Sequence, residues 1–249
     1  MMDQRIAFVT GAGSGIGREI AKTLASRSMK IIVADINIEN AQETVSFIKE
    51  AGNEAAAIFC DVSDLDSVKQ AVADAIHLFQ RIDVLINNAG WDKVEPFLKS
   101  EPDTWKKIVD INLLGHIHTC KEILPIMIEN SYGKVVNIAS DAGRVGSSGE
   151  AVYSAAKGGV IALTKTLARE MARYKLNINC VAPGPSDTPL FKEIDSYNEG
   201  LAGALEKAIP FRRLAQPKDI AGAVAYFVSD EAEYVTGQTL SVSGGLTMM

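Results

Sequence analysis

The chain has 249 residues, 47% hydrophobic and 22% charged, with a formal net charge of -6. That is enough apolar chain for one large core, and the negative balance argues against a general nucleic-acid-binding role. No stretch approaches the roughly 18 apolar residues of a membrane span, and the amino-terminal MMDQRIAFVTG lacks a secretory core. Three cysteines, Cys60, Cys120 and Cys180, show no C-x-x-C spacing, so a reducing cytoplasm fits better than a disulfide framework.

In chain order, IAFV (6–9) reads as a first strand. It runs into Thr10-Gly11-Ala12-Gly13-Ser14-Gly15-Ile16-Gly17 and then a helix, marked by Ile16, Ile20 and Leu24 on one face. Glycines let a backbone turn sharply beside a ligand, and the free N–H groups of a helix start suit a pyrophosphate. The spacing is G-x-x-x-G-x-G rather than G-x-G-x-x-G, and a tight structural turn would look alike. The second strand, KIIVA (30–34), ends at Asp35, where a carboxylate can accept from a ribose hydroxyl and repel a 2′-phosphate. That points to NAD rather than NADP.

AAIF (56–59) is a third strand, followed by Asp61, placed to accept from an adenine amino group. Ser63-Asp64-Leu65-Asp66 has a capping-box pattern and opens a helix carrying Val68, Val72 and Ile76. VLI (84–86) leads to Asn87-Asn88-Ala89-Gly90, and KVVNI (134–138) leads to Ser140. NINCV (177–181) and TLSV (239–242) complete about seven strands. Alternation with helical segments predicts a single α/β domain over 1–249, a doubly wound parallel sheet with helices on both faces. Residues 185–210 are too long for an ordinary connection and read as a substrate lid.

The helix AVYSAAKGGV (151–160) holds Tyr153 and Lys157 at i and i+4, on one face. An ammonium beside a phenol favours the phenolate, so Tyr153 is expected to titrate below its usual value of about 10 and to serve as a general acid or base. A plain surface pair has the same spacing. His116 and His118, at i and i+2, share no helical face, so no metal site is expected.

Taken together, TGAGSGIG, NNAG, Asn112 in DINLLG, Ser140, YSAAK and PGPSDT resemble the short-chain dehydrogenase/reductase family, in that family's order and spacing across essentially the whole chain. The resemblance implies a Rossmann-type fold and a catalytic set of Ser140, Tyr153, Lys157 and Asn112. It implies that tyrosine exchanges a proton with the substrate oxygen and serine steadies that oxygen. Lysine lowers the tyrosine pKa and holds the nicotinamide ribose, and asparagine kinks its helix and helps hold a water. It implies NAD contacts from Gly11, Ser14, Gly15, Ile16, Gly17, Asp35, Asp61, Val62, Asn88, Ala89, Gly90, Tyr153, Lys157, Pro183, Gly184, Ser186 and Thr188. Ser186 stands where the family usually has an apolar residue, a change that a backbone contact should survive. The resemblance also implies a homotetramer packed through helices near 105–128 and 152–173.

The segments GVIALTKTLARE and VTGQTLSVSGG look like the family's 3-oxoacyl-thioester reductases. GWD (90–92), 139–153, PGPSDTPL and SGGLTM look similar to its 2-hydroxycyclohexanecarbonyl-CoA dehydrogenases. The implied reaction is NAD-dependent oxidation of the β-hydroxyl of an acyl-CoA, a small-molecule partner. Trp91 would offer a flat wall to a ring, Asp141 and Arg144 would face the substrate, and Arg144, Arg212 and Arg213 could meet coenzyme A phosphates. A polyol, sugar or steroid alcohol dehydrogenase is an alternative. A non-catalytic NAD-binding protein should have lost Ser140, Tyr153 or Lys157, all of which are present.

Overall fold

The computed structural model describes residues 4–198 and 200–249. Seven strands form one sheet in the order β3-β2-β1-β4-β5-β6-β7: β1 Ile6–Thr10, β2 Lys30–Asp35, β3 Ala55–Phe59, β4 Val84–Asn87, β5 Lys134–Ile138, β6 Asn177–Pro183 and β7 Thr239–Val242. Every pairing is parallel. The helices are α1 Gly15–Ser26, α2 Ile38–Glu50, α3 Leu65–Phe79, α4 Pro102–Val109, α5 Gly115–Glu129, α6 Ala142–Val145, α7 Ala151–Met171, α8 Pro189–Ser196, α9 Leu201–Ala208 and α10 Pro217–Phe227.

Successive strand residues point to opposite faces, so the inner strands feed two cores. Ala7, Val9, Ile31 and Val33 pack with Ile20 and Leu24 of α1 and Ile220 and Val224 of α10. Phe8, Ile32 and Leu85 pack on the other side with Val68 and Val72 of α3 and Ile123 of α5. This double burial explains why the strands read as unbroken apolar runs. A polar chain threads the second layer: Asn87 donates to Asn137 Oδ1 at 2.8 Å, Thr119 donates to Asn87 Oδ1 at 2.6 Å, and Asn137 donates to Thr164 Oγ1 at 2.9 Å. It ties β4, β5, α5 and α7 together, each buried polar group meeting a partner.

Strand order reverses between β1 and β4. In open parallel sheets, the crevice beyond such a reversal is where ligands bind. One local expectation needs correction. Asp64, not Ser63, caps α3, accepting from Asp66 N at 3.0 Å, because Ser63 is held by Asp61 Oδ1. The segment 185–210, read as a substrate lid, is built largely of α8 and α9. Thr188 caps α8 by accepting from Phe191 N at 3.2 Å, with Pro189 at the helix start.

Candidate active site

A cavity of about 530 Å³ lies across the carboxyl ends of the strands. Its floor at one end is the loop after β1, with Gly11, Ser14, Gly15, Ile16 and Gly17 on the lining. Here glycine is obligatory: a Cβ on Gly17 would stand 2.1 Å from Gly11 O and 2.4 Å from Asn88 Nδ2. Ser14 caps α1 without a side-chain hydrogen bond, and no acidic residue occupies the first turn, so the helix start offers its N–H groups to an anion. Asp35 closes this end. Its Oδ2 accepts from Gly13 N at 2.7 Å and its Oδ1 from Asn37 N at 2.9 Å, which fixes the carboxylate against the glycine loop. Asp61 and Val62 line the wall beyond β3.

Asn88, Ala89 and Gly90 follow β4. Thr10 Oγ1 accepts from Asn88 N at 2.9 Å and Ala89 N at 3.1 Å, drawing this loop against the first. Pro183, Gly184, Ser186 and Thr188 cover the middle of the cavity. Ser186 donates to Gly184 O at 2.8 Å, so its side chain is turned to its own loop and its hydroxyl is already engaged. Leu190, Phe191 and Ile194 of α8 supply an apolar roof, and Trp91 an apolar side wall. The cradle therefore fits a dinucleotide in shape, in free N–H donors and in the placement of Asp35.

Ser140, Tyr153 and Lys157 meet at the other end of the same cavity. α7 brings two of them because Gly143 of α6 lets the helices touch; a Cβ there would stand 2.6 Å from the Lys157 carbonyl carbon. Lys157 Nζ donates to Ile138 O at 2.9 Å and lies 5.6 Å from the Tyr153 ring centroid. The expected lowering of the Tyr153 pKa is not what this arrangement produces. Burial raises it above its ordinary value, and the carboxyls of Asp92 and Glu150 raise it further, against a smaller opposing pull from Ser140. Lys157 is itself lowered to about 8, chiefly by burial, so it is a weakened cation.

Asn112 does not line the cavity. It sits in a π-helical turn, Asp110–Leu114, between α4 and α5, consistent with the kink implied by the resemblance. Its Nδ2 donates to Trp91 O at 2.6 Å and Ile108 O at 2.9 Å, and its Oδ1 accepts from Trp91 N at 3.3 Å. Its side chain thus holds the loop that carries Gly90 and Trp91.

Asp141 and Arg144 do not face the substrate. Asp141 is 5% exposed and accepts from Ser241 of β7. Arg144 donates to Ser241 Oγ at 2.9 Å and to the Met249 carbonyl. α6 is four residues long, and both side chains are tied to β7 through Ser241. Arg213 pairs with Asp219, and Arg212 donates to Lys207 O, so neither lines the cavity. Of the charged lining residues, Lys107 and Glu150 received no role from the sequence, and Asp92 entered only as part of GWD (90–92). Lys107 Nζ stands 3.8 Å above the Trp91 ring, a cation–π contact. Asp92 directly follows Trp91 and stands out as a charge at a strand-end loop, the one signal in sequence. No cluster of three metal-type ligands occurs among the described residues.

Residues 11–247 match the family described as enoyl-(acyl carrier protein) reductase. The chain is 38% identical over 251 residues to the acetoacetyl-CoA reductase of Acinetobacter sp. (strain RA3849), covering 100% of both chains. It is 37% identical over 246 residues to the 3-oxoacyl-[acyl-carrier-protein] reductase of Synechocystis sp. (strain ATCC 27184 / PCC 6803 / Kazusa), covering 98% of this chain and 97% of that one. The crystal structure of a single-substitution variant of actinorhodin polyketide ketoreductase with NADPH superposes with a TM-score of 0.95 at 34% identity, covering 99% of this chain and 98% of that one.

Proposed function

This chain belongs to the short-chain dehydrogenase/reductase family, and on that premise we propose that it oxidises the β-hydroxyl of an acyl-CoA thioester with NAD, its substrate being 2-hydroxycyclohexane-1-carbonyl-CoA and its product the 2-oxo thioester. One observation carries the reading: Ser140, Tyr153 and Lys157 share a single cavity with Asp35 at its opposite end. The relatives' own activities on acyl thioesters support the substrate class. The apolar roof from α8 and the Trp91 wall suit a saturated ring.

A bound nicotinamide dinucleotide would supply the hydride acceptor. Gly11 to Gly17 and the start of α1 would hold its pyrophosphate, Asp35 its adenosine ribose, and Lys157 its second ribose. Tyr153 removes the hydroxyl proton as the carbonyl forms. Ser140 donates to the same oxygen, so that charge developing there meets two donors. The raised pKa keeps Tyr153 protonated in the empty cleft, the form that can give a proton but not accept one. A cationic group seated beside it would oppose Asp92 and Glu150 and return it toward its working range.

The relatives' reductase activities favour a second reading, reduction of a 3-oxoacyl thioester, with the same site run in reverse. The test is initial rates with NAD and NADP against β-hydroxyacyl-CoA thioesters, free hydroxy acids, polyols and steroids, and with NADH or NADPH against 3-oxoacyl thioesters. The first reading requires the highest kcat/KM for the alicyclic thioester with NAD. A preference for polyols or steroids would sink both thioester readings.

A further inference from the structure

The substrate half of the cleft contains a buried carboxylate that catalysis as described does not use. The loop 91–96 is clamped to the loop before α7: Glu95 N donates to Gly149 O at 2.9 Å. Gly149 adopts φ +83°, and a Cβ there would stand 2.9 Å from Val94 Cγ1, so only glycine permits the approach. This clamp brings Asp92 beside Glu150. Asp92 is 5% exposed, and both of its carboxylate oxygens are buried with no hydrogen-bond partner among the described residues. A buried aspartate ordinarily has a cation or several donors.

Here the neighbouring cations are engaged elsewhere. Lys93 pairs with Glu95 at 2.8 Å, Lys107 lies over Trp91, and Lys157 donates to Ile138 O. Asp92, Glu150 and Tyr153 together line both the main cavity and a smaller one of about 10 Å³ behind the tyrosine. The carboxyl pair is thus part of the wall that a substrate meets when its oxygen reaches Tyr153.

We propose that Asp92, backed by Glu150, is a specificity-determining residue that turns away substrates bearing an ionised carboxyl and admits acids masked as neutral thioesters. The inference rests on the thioester reading above and supplies its physical selector. Where Asp92 is ionised, a carboxylate entering this wall meets like charge in a dry site, whereas a thioester carbonyl brings none.

The effect has a pH signature. Burial, followed by Glu150, raises Asp92 to about 8. Asp92 is therefore protonated below that value and ionised above it, so rejection of carboxylates strengthens as pH rises through about 8. The groups facing Asp92 are Glu150, Tyr153 and Lys157 from the start of α7, Lys93 and Glu95 from its own loop, and Tyr197 after α8. Lys157 loses charge in the same range, and in an Asp92→Asn variant it loses charge at lower pH because Asp92 no longer supports it, a smaller effect that works against the expected tightening.

The experiment measures ligand binding to the enzyme–NADH complex by NADH fluorescence, with 3-hydroxybutyrate and its neutral N-acetylcysteamine thioester, at pH 6.5 and 9. Asp92→Asn is expected to tighten 3-hydroxybutyrate about tenfold at pH 9 and less at pH 6.5, with a much smaller shift for the thioester. Glu150→Gln, the independent variant should Asp92→Asn fold poorly, shifts the ratio in the same direction. An unchanged acid-to-thioester affinity ratio in both variants, or no detectable 3-hydroxybutyrate binding by any of the proteins, overturns the proposal. Failure of the wild-type complex to bind the neutral thioester would instead refute the thioester reading, while the carboxylate measurements still decide the role of Asp92.

Discussion

Lys157 offers a test in which stability and activity move in opposite directions. Burial is the first cause of its shift from 10.5 to about 8, opposed by smaller contributions from Cys180 and Asp92. A group whose folded pKa is depressed binds fewer protons folded than unfolded between the two values. Its folded state therefore gains stability as pH rises across that window and carries the full penalty below it. At pH 7 the penalty is about 3 kcal/mol, from about 1.4 kcal/mol per pKa unit. Lys157→Met removes the charge but strands Ile138 O, costing about 1 kcal/mol. The net expectation is a gain of about 2 kcal/mol for the apo-protein, or roughly 4–8 °C in Tm for a chain of this size.

The assay is thermal and urea unfolding of wild type and Lys157→Met, without cofactor, at pH 7 and 9.5. At pH 9.5 the wild-type penalty falls to about 1 kcal/mol, so the gap between the two proteins should shrink. Asp92 titrates in both, and the loss of Lys157 raises it further, a smaller pH-dependent difference than that of Lys157 itself. Turnover should be lost in the variant, and NADH binding weakened. A variant that melts at or below wild type at pH 7, or a gap that is constant with pH, refutes the claim that Lys157 is held as a strained cation.

Tyr153→Phe should bind NADH nearly as wild type and lose most turnover; near-normal kcat on the true substrate would remove the tyrosine from the mechanism. Asp35→Ala should lower kcat/KM with NAD and raise it with NADP, and a wild-type preference for NADP would overturn the carboxylate argument. Gly17→Ala, with its Cβ driven onto Gly11 O, should abolish dinucleotide binding measured by fluorescence titration. The assembly is proposed to be a homotetramer, and a monomeric mass by light scattering at micromolar concentration would exclude it.

The strands were legible because burial on both faces leaves no choice of residue. Ile31 and Val33 meet one core, Ile32 the other, and the run reads as apolar whichever way it faces. The glycine loop was legible for the opposite reason: space is so short at Gly17 that the backbone dictates the residue. Both are local constraints. The lid was read as an insertion but not as two helices, because α8 and α9 are each eight residues long. Helices that short draw their stability from what they cover rather than from their own periodicity.

Asp141 and Arg144 show where proximity in sequence misleads. Both lie within four residues of Ser140, yet α6 turns them toward Ser241, about 100 positions later in the chain. The Tyr153 environment fails in the same way and matters more. The i, i+4 spacing correctly placed an ammonium near the phenol, but charge balance in a buried site depends on every group that burial gathers. Asp92 lies 61 positions before Tyr153 and is brought to it by a loop that the Glu95–Gly149 backbone bond and Asn112 hold in place. A helix can specify which two of its side chains are neighbours. It cannot specify the dielectric around them, nor the third charge that another loop delivers. A proton-transfer site is therefore readable from sequence as a set of atoms, while its acid strength belongs to the fold.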